Sequence, residues 1–255
     1  MKHDPEQPLS PPPRRNAFVT GAAGALGAAI TKALLKAGHR VVIADSNRSA
    51  LAELSASLEG EVLPLVFDVS SEAEVQRACD EVAKAWGNVD ILVNNAGVLS
   101  NNKIVETTPE EWRRIHAINL DGPFLLCRRW VPGMRAQRWG RIINMCSLAM
   151  KTGGLTAGTA YTTTKGALGA LTLSLARELA PHGVTANAIA PAYVKTKMIT
   201  EQLSAEQREQ VLRGIPVGRF CEVDEVAHAV VFLSSELSGF ITGEILDING
   251  GLHLD

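Results

Sequence analysis

The chain has 255 residues, which suffices for one large α/β domain or two smaller ones. Its 25 lysines and arginines nearly balance 27 aspartates and glutamates, so the charge argues against a nucleic-acid or anionic-membrane partner and favours a small ligand. No apolar run approaches the roughly 18 residues of a membrane span, and the opening segment MKHDPEQPLSPPPRRN has no signal-peptide core, so we expect a cytoplasmic protein with no membrane partner.

The cysteines and the first residues add two further expectations. The four cysteines are scattered, with no CxxC pair and no histidine at metal-ligand spacing, so we expect reduced thiols and no metal site. Five prolines fall within the first thirteen residues, which predicts that residues 1–15 are extended and poorly ordered. The folded domain is therefore predicted to comprise residues 16–255.

Short apolar runs alternate with helical segments from Asn16 onwards. Several runs are apolar at consecutive positions, which is typical of parallel strands covered by helices on both faces. Capping boxes predict helix starts at Ser71, Thr108 and Ser204. No linker-like composition interrupts the alternation, so we predict a single doubly wound α/β domain with a seven-stranded parallel sheet flanked by helices. The predicted strands are AFVT, RVVIA, VLPLVF, DILVN, RIINM, TANAIA and EILDI.

The first strand leads into a glycine-rich segment, TGAAGALG, which contains Gly21, Gly24 and Gly27 and opens a helix. This context suits a dinucleotide-binding loop of the Rossmann type, because a backbone without side chains can approach a pyrophosphate at a helix N-terminus. A glycine triad alone is a weak signal, and a simple tight turn is the other interpretation.

Asp45 ends the second predicted strand. A carboxylate there would accept hydrogen bonds from the ribose 2′-hydroxyl of NAD and repel the 2′-phosphate of NADP, so the sequence favours NAD. Arg48, three residues later, keeps NADP open as the less favoured cofactor. A helix-capping or turn role is the alternative for Asp45.

Tyr161 and Lys165 lie four residues apart in AYTTTKGAL, so on a helix their side chains share one face. A free tyrosine has a pKa of about 10, and a nearby ammonium lowers it by favouring the phenolate. We therefore expect Tyr161 to be a usable general acid/base. An exposed aromatic beside a solvated lysine is the alternative.

These motifs together resemble the short-chain dehydrogenase/reductase family, in its compact single-domain branch. The resemblance covers the chain after Asn16, and its overall pattern is most similar to bacterial 3-oxoacyl-carrier-protein reductases. It is carried by TGAAGALG, NNAG at 94–97, Asn119, Ser147, YTTTK at 161–165, PAYVKT at 191–196 and ITGEILDINGG.

The resemblance implies a catalytic role for four residues. Tyr161 would exchange a proton with the alcohol or carbonyl oxygen while hydride passes between the substrate carbon and nicotinamide. Lys165 would also hold the ribose hydroxyls, Ser147 would hydrogen-bond the substrate oxygen, and Asn119 would support a proton-relaying water chain. A non-catalytic dinucleotide sensor is disfavoured because Tyr161, Lys165 and Ser147 are all present. A sugar-nucleotide epimerase is disfavoured because it would need a sizeable C-terminal substrate domain.

The resemblance also implies which residues bind the dinucleotide. Asp68 and Val69 look like adenine contacts, the 94–97 loop closes over the adenosine half, and Val194 and Thr196 hold the nicotinamide carboxamide. Asn94 can equally be a buried structural amide, and we expect Asn187 to be structural. The full predicted set is Gly21, Gly24, Ala25, Leu26, Gly27, Asp45, Asp68, Val69, Asn95, Ala96, Gly97, Tyr161, Lys165, Pro191, Val194 and Thr196.

The chain departs from the family at several positions. Ala25 occupies the usual place of the middle glycine, and the Ser147 to Tyr161 interval is one residue longer than in many bacterial relatives. The similar 3-oxoacyl-carrier-protein reductases commonly prefer NADP and carry a basic residue before the glycine of the segment that reads APHGVTAN here. This chain has His182 at that position, and it has Asp45 at the end of the second predicted strand. These differences favour an NAD-linked dehydrogenase of a small secondary alcohol or polyol, with an NADPH-dependent 3-oxoacyl-carrier-protein reductase as the alternative.

The remaining expectations concern the substrate and the assembly. We expect a partly apolar pocket formed by Leu148, Met150, Leu155 and Tyr193, and a place in the hydrophobic core is the alternative for these residues. The segment VKTKMITEQLSAEQREQVLRGIP is predicted to form an amphipathic helix pair that acts as a lid, where Lys195 and Lys197 could meet an anionic substrate. By resemblance the protein is a homotetramer, paired through the helices near Thr108 and Thr159 and through the last strand.

Overall fold

The computed structural model describes residues 13–196 and 204–254. Within them, seven parallel strands form one sheet in the order β3-β2-β1-β4-β5-β6-β7. The prediction of a doubly wound α/β fold with a seven-stranded parallel sheet is confirmed. The strands are β1 (Asn16–Thr20), β2 (Arg40–Asp45), β3 (Val62–Val66), β4 (Ile91–Asn94), β5 (Gly140–Met145), β6 (Val184–Pro191) and β7 (Ile245–Ile248).

Helices connect these strands and cover both faces of the sheet. They are α1 (Ala25–Lys36), α2 (Arg48–Ser57), α3 (Glu72–Trp86), α4 (Pro109–His116), α5 (Gly122–Gln137), α6 (Ala149–Thr152), α7 (Thr159–Leu179), α8 (Ala205–Gly214) and α9 (Val223–Ser234). A π-helical turn (Ala117–Asp121) joins α4 to α5, and short 3-10 turns occupy Ala180–His182 and Glu236–Ser238. In the part of the chain that the structure describes, none of these helices has the length and apolarity to cross a bilayer.

The strands are buried on both faces because their alternate residues enter two separate cores. Phe18 and its neighbours pack against α3, α5 and α7, with Trp130 of α5 at the centre of that layer. Val19 and Ile43 point the other way, against α1, α2 and α9. Consecutive apolar positions in the sequence reflect this two-sided burial.

Two of the predicted helix starts have the expected cap. The Ser71 hydroxyl accepts a hydrogen bond from Glu74 N at 3.4 Å, and the Thr108 hydroxyl accepts one from Glu111 N at 3.1 Å. These bonds satisfy backbone donors that the first turn of a helix leaves unpaired. The third, Ser204, directly precedes α8.

The sheet order reverses at β1, because β2 lies on one side of it and β4 on the other. The connections from β1 and β4 therefore leave on opposite faces, and a crevice opens at the carboxyl ends of these strands. Ligands of doubly wound folds bind in such a crevice.

Candidate active site

A cavity of about 880 Å³ opens at the carboxyl ends of the strands. It brings together every predicted site residue except Asn119. The predicted residues in its wall are Gly21, Gly24, Ala25, Leu26, Gly27, Asp45, Asp68, Val69, Asn95, Ala96, Gly97, Ser147, Tyr161, Lys165, Pro191, Val194 and Thr196.

The glycine-rich loop is packed too tightly for side chains at two of its three glycines. Gly21 has φ of +62°, and a Cβ there would lie 2.9 Å from Ala96 Cα. A Cβ on Gly27 would lie 2.1 Å from Gly21 O, which no real side chain tolerates. A Cβ on Gly24 would come only within 3.4 Å of Gly21 O, an ordinary contact. The loop therefore depends on Gly21 and Gly27 much more than on Gly24.

Helix α1 presents its N-terminus to the cavity without a side-chain cap. Gly24 is the N-cap residue and supplies no capping group, and the first turn contains no acidic residue. The N–H groups of Ala25, Leu26 and Gly27 precede the first intrahelical hydrogen bond, from Ala28 N to Gly24 O at 2.8 Å. Unpaired donors and the positive helix end make this an anion site that fits a pyrophosphate. Ala25 is exposed at the start of the helix, so its methyl group leaves the loop intact.

The loop after β4 is clamped to the glycine-rich loop. Asn95 Nδ2 donates to Thr20 O at 2.9 Å and to Gly21 O at 3.1 Å. The Thr20 hydroxyl accepts in return from Asn95 N and Ala96 N, both at 3.0 Å. The two loops that border the cavity at this end therefore form one rigid unit.

Two other asparagines have structural partners. Asn94 is buried and donates to Asn144 Oδ1 at 2.8 Å, so it is a structural amide of the strands rather than part of the cavity. Asn187 donates to Ile241 O at 2.9 Å and accepts from Glu244 N at 3.0 Å, which ties β6 to the start of β7. The expectation for Asn187 is confirmed.

Asp45 reaches the cavity from the end of β2. Its carboxylate accepts from Ala23 N at 3.0 Å and from Asn47 N at 2.9 Å, so it fixes the glycine-rich loop as well as lining the wall. Arg48 is the first residue of α2 and lines a different, smaller cleft beside Arg77. The arginine that kept NADP open in the sequence is thus absent from the described wall of the main cavity.

Asp68 and Val69 form another part of the same wall. Asp68 Oδ1 accepts from the backbone N of Ser70 at 2.9 Å and from its hydroxyl at 2.7 Å, which fixes the loop between β3 and α3. Val69 packs against Gly122 at the start of α5, where a Cβ would lie 3.0 Å from Val69 Cβ.

Tyr161 and Lys165 project from α7 towards Ser147, which follows β5. Lys165 Nζ donates to Met145 O at 2.6 Å and lies 5.6 Å from the centre of the Tyr161 ring. Burial raises the pKa of the Tyr161 phenol, and the neighbouring Ser147 hydroxyl only partly opposes this. Burial also lowers the pKa of Lys165.

The expectation that the pKa of Tyr161 is lowered is therefore wrong, because burial raises it. The Lys165 ammonium is directed at the Met145 carbonyl, and the loss of water around the phenol is the largest influence on the pKa of Tyr161. Cys146 lies in the same wall, and burial raises its pKa to about 11, so this thiol is neutral.

Asn119 lies behind the cavity wall, in the π-helical turn between α4 and α5. Its side chain donates to Val98 O at 3.0 Å and accepts from Val98 N at 2.9 Å, and it donates to the Thr164 hydroxyl at 3.2 Å. A Cβ on Gly97 would lie 3.4 Å from both Asn119 Oδ1 and Lys165 Nζ. Asn119 thus supports the loop after β4 and adjoins Lys165 across Gly97.

The substrate end of the cavity is mainly apolar. Leu148, Leu155 and Tyr193 line it as expected, but Met150 does not. Met150 packs instead against Gly169 of α7, because its position on the short helix α6 turns it into the core. The sequence did not indicate that Leu99, Thr152 and Ala157 also belong to the wall, since no motif marks them.

The residues after β6 form the last part of the described range 13–196. Pro191 ends β6, and Val194 forms a parallel bridge with Cys221. Tyr193 between them has φ of +47°, an uncommon conformation for a bulky residue that is typical of functional sites. Lys195 pairs with Glu222 at 3.0 Å.

The predicted lid is described only in part. Lys197 and the rest of residues 197–203 lie outside the described residues. The second half of the lid segment forms α8.

The fold and the cavity define a doubly wound α/β protein of the Rossmann class. A family model described as enoyl-(acyl carrier protein) reductase matches residues 21–253. The 3-oxoacyl-[acyl-carrier-protein] reductase FabG of Aquifex aeolicus (strain VF5) is 38% identical over 239 residues, which cover 92% of this chain and 96% of that protein.

Solved structures agree with this match. The crystal structure of gox2181 has a TM-score of 0.88 at 34% identity and covers 94% of this chain and 95% of that one. A short-chain dehydrogenase/reductase named glucose/ribitol dehydrogenase, from Brucella melitensis, has a TM-score of 0.85 at 29% identity, with coverage of 94% and 97%. The chain belongs to the short-chain dehydrogenase/reductase family of oxidoreductases.

Proposed function

We propose that this protein is an NAD-dependent oxidoreductase that transfers a hydride between nicotinamide and a small neutral secondary alcohol or its ketone. The observation that carries the proposal is that Ser147, Tyr161 and Lys165 meet in the same cavity as the uncapped N-terminus of α1. One end of this cavity suits a dinucleotide, and the other holds a hydroxyl, a phenol and an ammonium beside an apolar wall.

The chain's own residues supply the proton chemistry. The bound dinucleotide supplies the hydride acceptor or donor. Tyr161 Oη moves the proton to or from the substrate oxygen, and the Ser147 hydroxyl orients that oxygen. Lys165 would hold the ribose hydroxyls of the dinucleotide, and Asn119 keeps the loop after β4 in place beside it.

Two features support NAD as the cofactor. Asp45 contributes a carboxylate to the cavity wall, where the 2′-hydroxyl of NAD would be accepted and a 2′-phosphate repelled. Among the described residues that line the cavity, Lys165 is the only cationic side chain. A 2′-phosphate near Asp45 would therefore meet no arginine in the described wall of the cavity.

The main alternative is an NADPH-dependent 3-oxoacyl-carrier-protein reductase. It is supported by the name of the Aquifex relative. The carboxylate of Asp45 in the cavity wall disfavours this alternative, whereas the Brucella structure carries the name glucose/ribitol dehydrogenase. We therefore rank secondary alcohols and polyols first as substrates.

We further propose that the protein works as a homotetramer in the cytoplasm. Large apolar side chains are exposed on α5, on α9 and in the segment between α9 and the edge strand β7, notably Phe124, Phe232, Leu237 and Phe240. Exposed apolar clusters and an open edge strand both favour pairing with another copy. All four cysteines are free, which suits a reducing compartment.

The test is a fluorescence titration with NADH and NADPH, followed by a screen of secondary alcohols, polyols and 3-hydroxyacyl thioesters for cofactor reduction. We expect tighter binding of NADH and oxidation of an alcohol or polyol. The Asp45→Ser variant, which keeps a small polar side chain, should lose about tenfold of the preference for NADH over NADPH. Tighter NADPH binding with 3-oxoacyl reduction would overturn the proposal in favour of the alternative.

A further inference from the structure

One wall of the substrate end is a short turn in the interval between Ser147 and Tyr161. This turn, residues 153–158, connects α6 to α7 and is called the rim turn below. It contributes Leu155, Thr156 and Ala157 to the cavity. Gly154 has φ of +78°, and a Cβ there would lie 2.3 Å from the Thr162 hydroxyl, so the turn is tightly packed against α7.

A single ammonium group bridges this turn. Lys103 Nζ donates to Gly154 O and to Ala157 O, each at 2.7 Å. The two carbonyls flank Leu155 and Thr156, so the lysine holds together the ends of the segment that faces the substrate. Lys103 is otherwise exposed.

The segment that carries Lys103 is itself fixed. Gly158 N donates to Ser100 O at 2.7 Å, and Thr159 N donates to Asn102 O at 3.0 Å. The Asn102 amide donates to Glu111 Oε2 at 2.8 Å, which links this segment to α4. A chain of hydrogen bonds therefore runs from α4 through Lys103 to the rim turn.

We propose that Lys103 is a positioning residue that sets substrate selectivity by holding the rim turn against the cavity. It acts through Leu155 and Thr156 and does not itself touch the reacting atoms. The proposal rests on the proposed oxidoreductase function. Charge-assisted hydrogen bonds are the stronger kind, and their loss would free the turn to widen the pocket.

The experiment compares Lys103→Met, which removes the donors, with Lys103→Arg, which keeps charge and donors. Lys84→Met, at an exposed lysine of α3 outside the cavity, is the matched control. We expect KM for the best small alcohol to rise about tenfold in Lys103→Met with little change in kcat, and discrimination against bulkier alcohols to fall. Lys103→Arg should restore most of the selectivity.

Hydrogen exchange of the rim turn is the second readout, and it does not require turnover. Amides of residues 153–158 should exchange faster in Lys103→Met than in Lys84→Met, while NADH affinity stays unchanged. Unchanged exchange and unchanged KM in Lys103→Met would overturn the proposal. Failure of the unmodified protein to bind NADH or to oxidise any alcohol would overturn the proposed function instead, with the exchange result still deciding whether Lys103 holds the turn.

Discussion

Burial is the dominant influence on the pKa of Tyr161. The phenol keeps access to the cavity but is surrounded by protein, so its charged form loses hydration that the Ser147 hydroxyl replaces only in part. Lys165 is directed at Met145 O. The sequence can reveal that the two side chains share a face, but the balance of their electrostatics depends on burial.

This balance can be measured because the chain contains only two tyrosines, Tyr161 and Tyr193. In Tyr193→Phe, an alkaline absorbance titration reports Tyr161 alone, and we expect its midpoint above the ordinary value of about 10. The rate of alcohol oxidation needs the phenolate, so it should rise with pH on the alkaline side. A midpoint below the ordinary value would contradict the account and restore the stronger effect of Lys165.

At the scale of elements, the glycine-rich loop contains glycines that the fold requires and a glycine that a small side chain could replace. The sequence predicted the loop, its strand and its helix, because turn residues and apolar periodicity are local signals. It did not distinguish Gly27 from Gly24, since that difference comes from the 2.1 Å and 3.4 Å approaches to Gly21 O in the folded chain.

Gly27→Ala and Gly24→Ala form a matched pair of variants. Gly27→Ala should lower the free energy of unfolding by about 1–3 kcal/mol, because the added methyl group forces the loop apart. Its affinity for NADH should fall at least about tenfold. Gly24→Ala should cost under about 1 kcal/mol, the usual range for a change at an N-cap. Thermal unfolding and NADH titration measure both effects, and equal losses in the two variants would show that the approach to Gly21 O is unimportant.

Other elements have features that local sequence signals do not predict. The caps at Ser71 and Thr108 follow from sequence, but the π-helical turn that holds Asn119 does not, because α4 and α5 read as ordinary helix. The core position of Met150 and the positive φ of Tyr193 are likewise set by packing and by the bridge from Val194 to Cys221.

At the scale of the whole molecule, the sheet order follows from alternating strands and helices and from the rules for parallel crossovers. The convergence of distant motifs in one cavity follows from that order, since the carboxyl ends of parallel strands share one edge. No local sequence pattern encodes the partner that covers the exposed apolar surfaces. The prediction of a tetramer rests on the resemblance to the family and on the exposure of these side chains.

Phe240 and Ala85 provide a test of the assembly. Both are exposed apolar residues, but Phe240 lies in the segment between α9 and β7, whereas Ala85 lies on α3, outside the elements predicted to pair. We expect sedimentation analysis to find a tetramer for the unmodified chain and for Ala85→Asp, and a smaller species for Phe240→Asp. A monomer in the unmodified chain would contradict the proposed assembly.

The most direct measurement of the central claim uses an alcohol that carries deuterium on its carbinol carbon. Mass spectrometry then measures the transfer of this deuterium to NAD as the alcohol is oxidised. The account predicts deuterated cofactor with the unmodified chain, and none above background with Tyr161→Phe, which should still bind NADH with nearly unchanged affinity. Appreciable transfer by Tyr161→Phe would contradict the role of Tyr161. Absence of transfer by a chain that binds NADH, across alcohols, polyols and 3-hydroxyacyl thioesters, would contradict the proposed reaction.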